Sequence, residues 1–325
     1  MLSTKVALVI PCFGVPAAMA WLVSRGVPVL NAVVISICTG GVLAGMLLFG
    51  SGKRLEDLQK VFIARPAVVF AIIAALFGLY LLYSIGANTA QPQRLVVMAL
   101  YLSLPFLLLT KQRGASKTSW LDVAAILWMW LPLEFGLVRR LTLGSLGGAD
   151  FHYAFAEGLA INVAIIAFGA WRRLRGIGYR FEFSRKTLSI ALVCLLLFAV
   201  IAIPLGSAIH FIRYSFQLRK LVLAPVTFLG IFLFTAIPEE LLFRGLIQNC
   251  FERMTGRRIL GLLLGAIVFG ASHLNNGPPV PNYKYFLMAT IAGIFYGIAW
   301  QRTGSLSASG LTHALVDTLW GLLFR

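Results

Sequence analysis

Apolar runs long enough to cross a bilayer recur along the whole chain, separated by short polar breaks. They stand near 6–23, 28–50, 66–87, 95–110, 119–138, 155–171, 187–208, 221–248, 259–273, 284–301 and 306–324. About 20 apolar residues in a helix bridge a hydrocarbon core of about 30 Å. A backbone in lipid must satisfy its own hydrogen bonds, which leaves helices or a closed barrel. None of the runs shows the alternation of a barrel strand, so each is expected to be helical. The expected fold is all-α: a polytopic transmembrane helical bundle of about 9–12 spans. Composition agrees, with 59% hydrophobic residues, a mean hydropathy of +0.88 and 12% charged residues. That charged fraction is about half the soluble average.

The net charge is +17. In a soluble protein such an excess would suggest nucleic acid. Here the basic residues fall in the breaks between apolar runs, where lysine and arginine set topology and meet anionic lipid. No basic stripe with interleaved aromatics appears, so nucleic acid is excluded as a partner. The breaks after the second, fourth, sixth and eighth runs carry Lys53 and Arg54, Lys111 and Arg113, Arg172 to Arg185, and Arg253 to Arg258. All are even-numbered, which predicts a cytoplasmic N-terminus and an integral protein of the cytoplasmic (inner) membrane. Arg139 with Arg140, and Arg213, Arg219 and Lys220, are exceptions to this pattern. The basic stretch 172–186 reads as a linker between an N-terminal helical part, 1–185, and a C-terminal part, 186–325. Cys12, Cys38, Cys194 and Cys250 show no CxxC spacing, so they read as small hydrophobes. Gly41/Gly45, Gly261/Gly265 and Gly293/Gly297 are spaced for close helix packing within the chain.

Against this background a few polar residues stand out. Pro238-Glu239-Glu240-Leu241-Leu242-Phe243-Arg244 places two adjacent carboxylates and an arginine inside the run 221–248, in a chain with only 11 acids. An ionisable group in a membrane span is by default a functional-site hypothesis. Glu240 and Arg244 are four apart and can pair on one helix face, while Glu239 points about 100° away. Of four histidines, His152 and His210 fall near predicted helix ends and read as ordinary interfacial residues. His273 closes Phe269-Gly270-Ala271-Ser272-His273, and His313 lies four residues before Asp317 on a shared face. Glu239 is 14 residues before Arg253 and His273 is 14 after Ile259, so both sit about 21 Å from one membrane face. His313, 11 residues past Arg302, sits about 16 Å in by the same rise. Three helices thus deliver their polar groups to similar depth.

Two histidines and two carboxylates suit a zinc ligand set drawn from Glu239, His273, His313 and Asp317. They equally suit a metal-free arrangement. In that version Glu239 and His273 activate water, and His313 with Asp317 supports the oxyanion. Both point to attack of water on a carbonyl, and residue types alone leave the choice open. Glu240 and Arg244 read as a structural pair.

The three motifs in this order, Glu-Glu-x-x-x-Arg at 239–244, Phe-x-x-x-His at 269–273 and His-x-x-x-Asp at 313–317, resemble the CPBP family of intramembrane proteases. This is the CAAX-protease and bacteriocin-processing group, also called the Abi family, whose members have been described both as metalloproteases and as glutamate-dependent enzymes. The resemblance covers roughly 220–325. It implies a protease domain in 186–325 and hydrolysis of a peptide bond in a membrane-anchored or lipid-modified substrate. It further implies that Glu239 activates water, with His273, His313 and Asp317 catalytic and Glu240 and Arg244 supporting. Some members carry asparagine in place of Asp317. Residues 1–185 match nothing in that pattern. Rival expectations are a non-catalytic immunity or assembly factor and, more remotely, a proton-coupled transporter. The latter lacks the paired interrupted segments of two matching halves.

Overall fold

The computed structural model describes residues 4–138, 140 and 149–324; Arg139 lies outside them. Among these residues twelve helices and no strand are present. They are α1 (Thr4–Ser24), α2 (Val29–Phe49), α3 (Lys53–Ala64), α4 (Val68–Gly86), α5 (Pro92–Leu109), α6 (Trp120–Glu134) and α7 (Ala149–Ala164), which continues as a π-helical turn, Ile165–Trp171. Then follow α8 (Arg185–Ala208), α9 (Leu218–Thr255), α10 (Arg258–Ala271), α11 (Tyr283–Thr303) and α12 (Leu306–Leu323). Every apolar run read from the sequence is a helix. Six helices, including α2, α4, α8 and α9, are both long and apolar enough to cross a membrane, and α10 and part of α1 are apolar but shorter. Many large apolar side chains face outward, as Leu192, Leu196 and Val200 do along α8. Such a surface is stable against hydrocarbon and not against water. The chain is an integral membrane protein.

Packing divides the chain into two units, Met1–Arg175 and Gly176–Arg325. In the first, α2 packs on α1, α4 and α7. Asn162 of α7 donates to the Val42 and Gly158 carbonyls, each at 2.8 Å. It does so by lying directly against Gly45, where a Cβ would collide with its side-chain oxygen. Helix α3 occupies the basic break after α2. Its polar composition hid it from a reading based on apolar runs, and it buries Phe62 against Trp171, edge to face at 5.4 Å.

Arg172, grouped with the solvated basic linker on sequence grounds, is fully buried. Its Nε donates to Asp122 at 2.8 Å, and its terminal nitrogens donate to the Ala115 and Lys117 carbonyls. Asp122 also accepts from the Ser119 amide at 2.8 Å and so caps α6. Removing one partner of such a pair strands a buried charge, at about 3–5 kcal/mol. Arg172→Ala is therefore expected to lower the yield and melting temperature of the purified protein sharply. A melting temperature equal to wild type would show that the pair contributes nothing.

The second unit begins with an extended piece that the sequence presented as part of a linker. Its backbone is bonded to the start of α12. Ser305 and Ser307 donate their hydroxyls to the Arg180 carbonyl, Glu182 N–H donates to Ser307 Oγ, and Leu306 N–H donates to the Gly178 carbonyl. Tyr179 and Phe181 turn into the core. The basic side chains that gave this stretch its linker appearance are only part of its content.

Helix α9 is continuous in direction but not in register. Phe232–Ala236 and Leu241–Gln248 are π-helical, and the short α turn Ile237–Glu240 lies between them. Pro238 supplies one reason, because its ring nitrogen cannot complete the α ladder. The preceding N–H, of Ile237, reaches back five residues to Phe232. π-Turns inside α-helices collect at functional sites, and these two flank the carboxylate pair.

The glycine pairs act within the chain. On α11, Gly293 lies against Ala266 and Phe269, while Gly297 lies against Leu262 and Gln248. A side chain at Gly297 would push α11 off α10 and the second π turn. The four cysteines form no disulfide, and Cys12 is exposed on α1 while the other three are buried.

Candidate active site

Four helices of the C-terminal unit converge on His313. From α12 its Nδ1 faces Glu240 Oε1 of α9 at 3.0 Å in a buried contact. The carboxylate can only accept, so the geometry suits an Nδ1–H donating to Glu240. The other ring nitrogen, Nε2, faces Asp317 Oδ2 at 3.4 Å and Glu239 Oε2 at 3.8 Å. The histidine therefore stands between the two adjacent glutamates and touches each through a different nitrogen. This bears directly on the depth count: Glu239 and the His313/Asp317 pair, on separate helices, do meet.

The two glutamates have different surroundings. Glu240 is fully buried and, besides His313, accepts from Arg244 Nε at 3.1 Å, so the expected pair four residues apart is present. Glu239 retains 29% side-chain exposure and Asp317 34%. The two partly open carboxylates share the Nε2 edge of the imidazole, and the closed one holds its Nδ1.

Aromatic rings fix these groups in place. Tyr296 of α11 stacks on His313 with centroids 4.5 Å apart and planes 17° from parallel. Phe269 of α10 meets the His313 edge at 5.8 Å and carries the Arg244 guanidinium 4.8 Å from its centroid. Tyr296 lies 5.7 Å from the same guanidinium. Both terminal nitrogens of Arg244 are buried without a hydrogen-bond acceptor among the described residues, so ring faces stand where acceptors would otherwise be needed. Phe269 opens the Phe-x-x-x-His motif, whereas nothing in the sequence marks Tyr296 as part of the site. An aromatic in an apolar run carries no positional signal, although the Gly293/Gly297 spacing that lets α11 approach α10 brackets Tyr296.

His273 follows α10 in the turn after Ala271. Its Nδ1 lies 2.9 Å from the Phe269 carbonyl, which can only accept, so the proton belongs on Nδ1 and a neutral ring presents a lone pair at Nε2. Its ring packs between Phe269 and Tyr285, each centroid 4.8 Å away. It lies within electrostatic reach of His313, Asp317 and Arg244, and Tyr285 within reach of Asp317 and Glu239. His273 thus belongs to the same cluster, one ring removed from His313. The other two histidines stand elsewhere. His152 bonds Tyr83 at 2.9 Å in the N-terminal unit, and His210 takes a left-handed turn (φ 54°) after α8.

Among the described residues no group of three or more His, Cys, Asp or Glu is placed to hold a metal ion. His313 and His273 each engage Nδ1, with Glu240 and with the Phe269 carbonyl, which leaves Nε2 as the remaining nitrogen of each ring. The Nε2 of His313 faces Glu239 and Asp317.

Helices in lipid that bring three carboxylates, an arginine and two histidines together define a class: integral membrane proteins with a polar cluster inside the bundle. Residues 221–319 match the family described as type II CAAX prenyl endopeptidase, Rce1-like. The match takes in all three motifs, in agreement with the resemblance they carry. Neither a curated protein nor a solved structure matches the chain.

Proposed function

We propose that the protein is an intramembrane endopeptidase that hydrolyses a peptide bond in a membrane-anchored or lipid-modified substrate, near the substrate's terminus. The observation that carries this reading is the approach of Glu239 to His313 at 3.8 Å within the region of the family match. That separation is too long for a good direct hydrogen bond and short enough for one oxygen atom to contact both groups. A water held there is deprotonated by Glu239, whose side chain is partly exposed while the Oε2 facing His313 is buried. As the water oxygen adds to the scissile carbonyl carbon, the carbonyl oxygen becomes an oxyanion, and the donor is the Nε2–H of a His313 that carries both ring protons, its Nδ1–H being held by Glu240. Glu239 then returns the proton to the leaving amine as the C–N bond breaks. Water is consumed, and one acid and one amine are formed. Glu240 and Arg244 position His313 without touching substrate.

The test is cleavage of a lipid-modified peptide by the full-length protein in liposomes, followed by mass spectrometry. A prenylated peptide with a C-terminal CAAX sequence is the first substrate to try, given the family's description. A comparison of membrane proteomes from wild-type and Glu239→Ala cells is the second. The reading requires an unprocessed membrane-anchored protein in the variant. Absence of both cleavage and any unprocessed protein would leave the non-catalytic alternative standing. Metal analysis of the purified protein addresses the zinc question separately.

Tyr296 offers a finer check. Stacked aromatic pairs contribute about 0.5–1.5 kcal/mol beyond burial. Tyr296→Leu is therefore expected to lower kcat by up to about tenfold with KM little changed, because it loosens a ring that orients the water. An effect confined to KM would place Tyr296 in substrate binding instead.

A further inference from the structure

The N-terminal unit contains an apolar groove of about 820 Å³ between α4 and α5, closed at one end by Trp171. It starts at Pro66 and Arg113 and reaches Phe77 and Ala99. Pro66 to Phe77 and Thr110 to Ala99 are each eleven steps of helix or its approach, so both walls run about 16 Å. That is one leaflet of a hydrocarbon core about 30 Å thick. Phe70 and Leu107, at 70% and 63% exposure, stand at its open side. The hydroxyls of Ser103 and Thr110 donate to the Ala99 and Phe106 carbonyls of their own helix, each at 2.7 Å. Neither therefore offers its hydrogen to a guest, and the interior of the groove is chemically apolar.

Its Trp171 end is different. Arg113 is the single charged residue among those lining the groove. Its guanidinium lies 3.9 Å over Trp171, and Nη2 donates to the Phe62 carbonyl at 2.8 Å. Arg173 is its electrostatic neighbour and lies directly against Gly114, whose φ of +72° and lack of a Cβ make that approach possible. The Nε groups of Arg113 and Arg173 are both buried without an acceptor among the described residues. The nearby acid Asp122 is committed to Arg172 and to the cap of α6. Two like charges are thus held together at the end of a one-leaflet apolar slot, with no carboxylate lining it.

We propose that this groove binds an anionic phospholipid of the bilayer, its phosphate on Arg113 and Arg173 and one acyl chain between α4 and α5. Guanidinium groups match a phosphate in shape and charge, and the groove's length and apolar lining match a chain confined to one leaflet. The site is independent of the proposed protease chemistry.

The experiment uses the full-length protein in neutral detergent, with thermal unfolding followed on addition of phosphatidylglycerol or phosphatidylcholine. Phosphatidylglycerol is expected to raise the melting temperature more than phosphatidylcholine, and to remain bound in native mass spectrometry. Arg113→Gln with Arg173→Gln should erase the difference between the two lipids, whereas Arg113→Lys should retain most of it. Ala74→Trp, which fills the groove, should abolish retention of bound phosphatidylglycerol with both arginines intact. It carries the test if the double variant fails to fold. Equal shifts from both lipids in the wild type, or a preference that survives either the double variant or Ala74→Trp, would overturn the proposal. So would displacement of phosphatidylglycerol by a prenylated peptide at equal concentration, which would assign the groove to a substrate's anchor.

Discussion

Glu239→Gln is expected to abolish peptide hydrolysis while leaving a folded protein. A positioned general base contributes about 10²–10⁴-fold; Glu239, like Asp317, combines partial exposure with approach to His313 Nε2, and the Glu-Glu-x-x-x-Arg motif is what assigns the role to Glu239. Folding should be little affected, because the buried pair beneath it, Glu240 with Arg244, is untouched. The measurement is turnover of the lipid-modified peptide, with thermal unfolding as the control. Glu240→Gln provides the contrast. Its amide oxygen can still accept from His313, but the charge opposite Arg244 is lost, so its effect should appear in stability as well as in rate. Full activity in Glu239→Gln would remove the general-base role assigned to it.

The second large effect is structural. Arg244→Ala leaves the Glu240 carboxylate fully buried with His313 as its remaining partner, and unpairing a buried ion costs about 3–5 kcal/mol. At about 2–4 °C per kcal/mol for a unit of this size, the melting temperature should fall by at least about 6 °C. Arg244→Lys should recover only part of this. An ammonium keeps the charge but lacks the planar group that lies between Phe269 and Tyr296. If the alanine variant melted with the wild type, the pair would not hold the site together. The order of the two experiments matters, since a loss of activity in Arg244→Ala is interpretable only beside its loss of stability.

The helices were legible because length and hydropathy suffice to specify them in lipid, and all the apolar runs became helices. The polar cluster was legible for a related reason. Charged residues are costly in hydrocarbon, so their presence is itself a signal, and counting along straight helices brought Glu239 and His313 to similar depth. What escaped lacks such a signal. Arg172 has the same letter as the exposed Arg175, and its partner Asp122 lies 50 residues away. Helix α3 is too polar to register as an apolar run. The stretch after Arg175 carries basic side chains, yet its bonds to α12 run through backbone carbonyls and amides that no residue letter encodes. Tyr296 could be found only through the two glycines around it.

The π-helical register after Glu240 gives the motif a peculiarity of its own. A π turn holds more residues per revolution than an α turn, so the helix there contains, in effect, an insertion absorbed without a loop. The Glu-Glu-x-x-x-Arg spacing suggests an ordinary α face, yet the pair it specifies closes on a wider coil. A relative whose helix is straight at this point would align with this chain by matching letters and still be offset in space beyond the arginine. Comparisons across the family should therefore be anchored on the glutamate pair and re-registered after Gln248, where α geometry resumes.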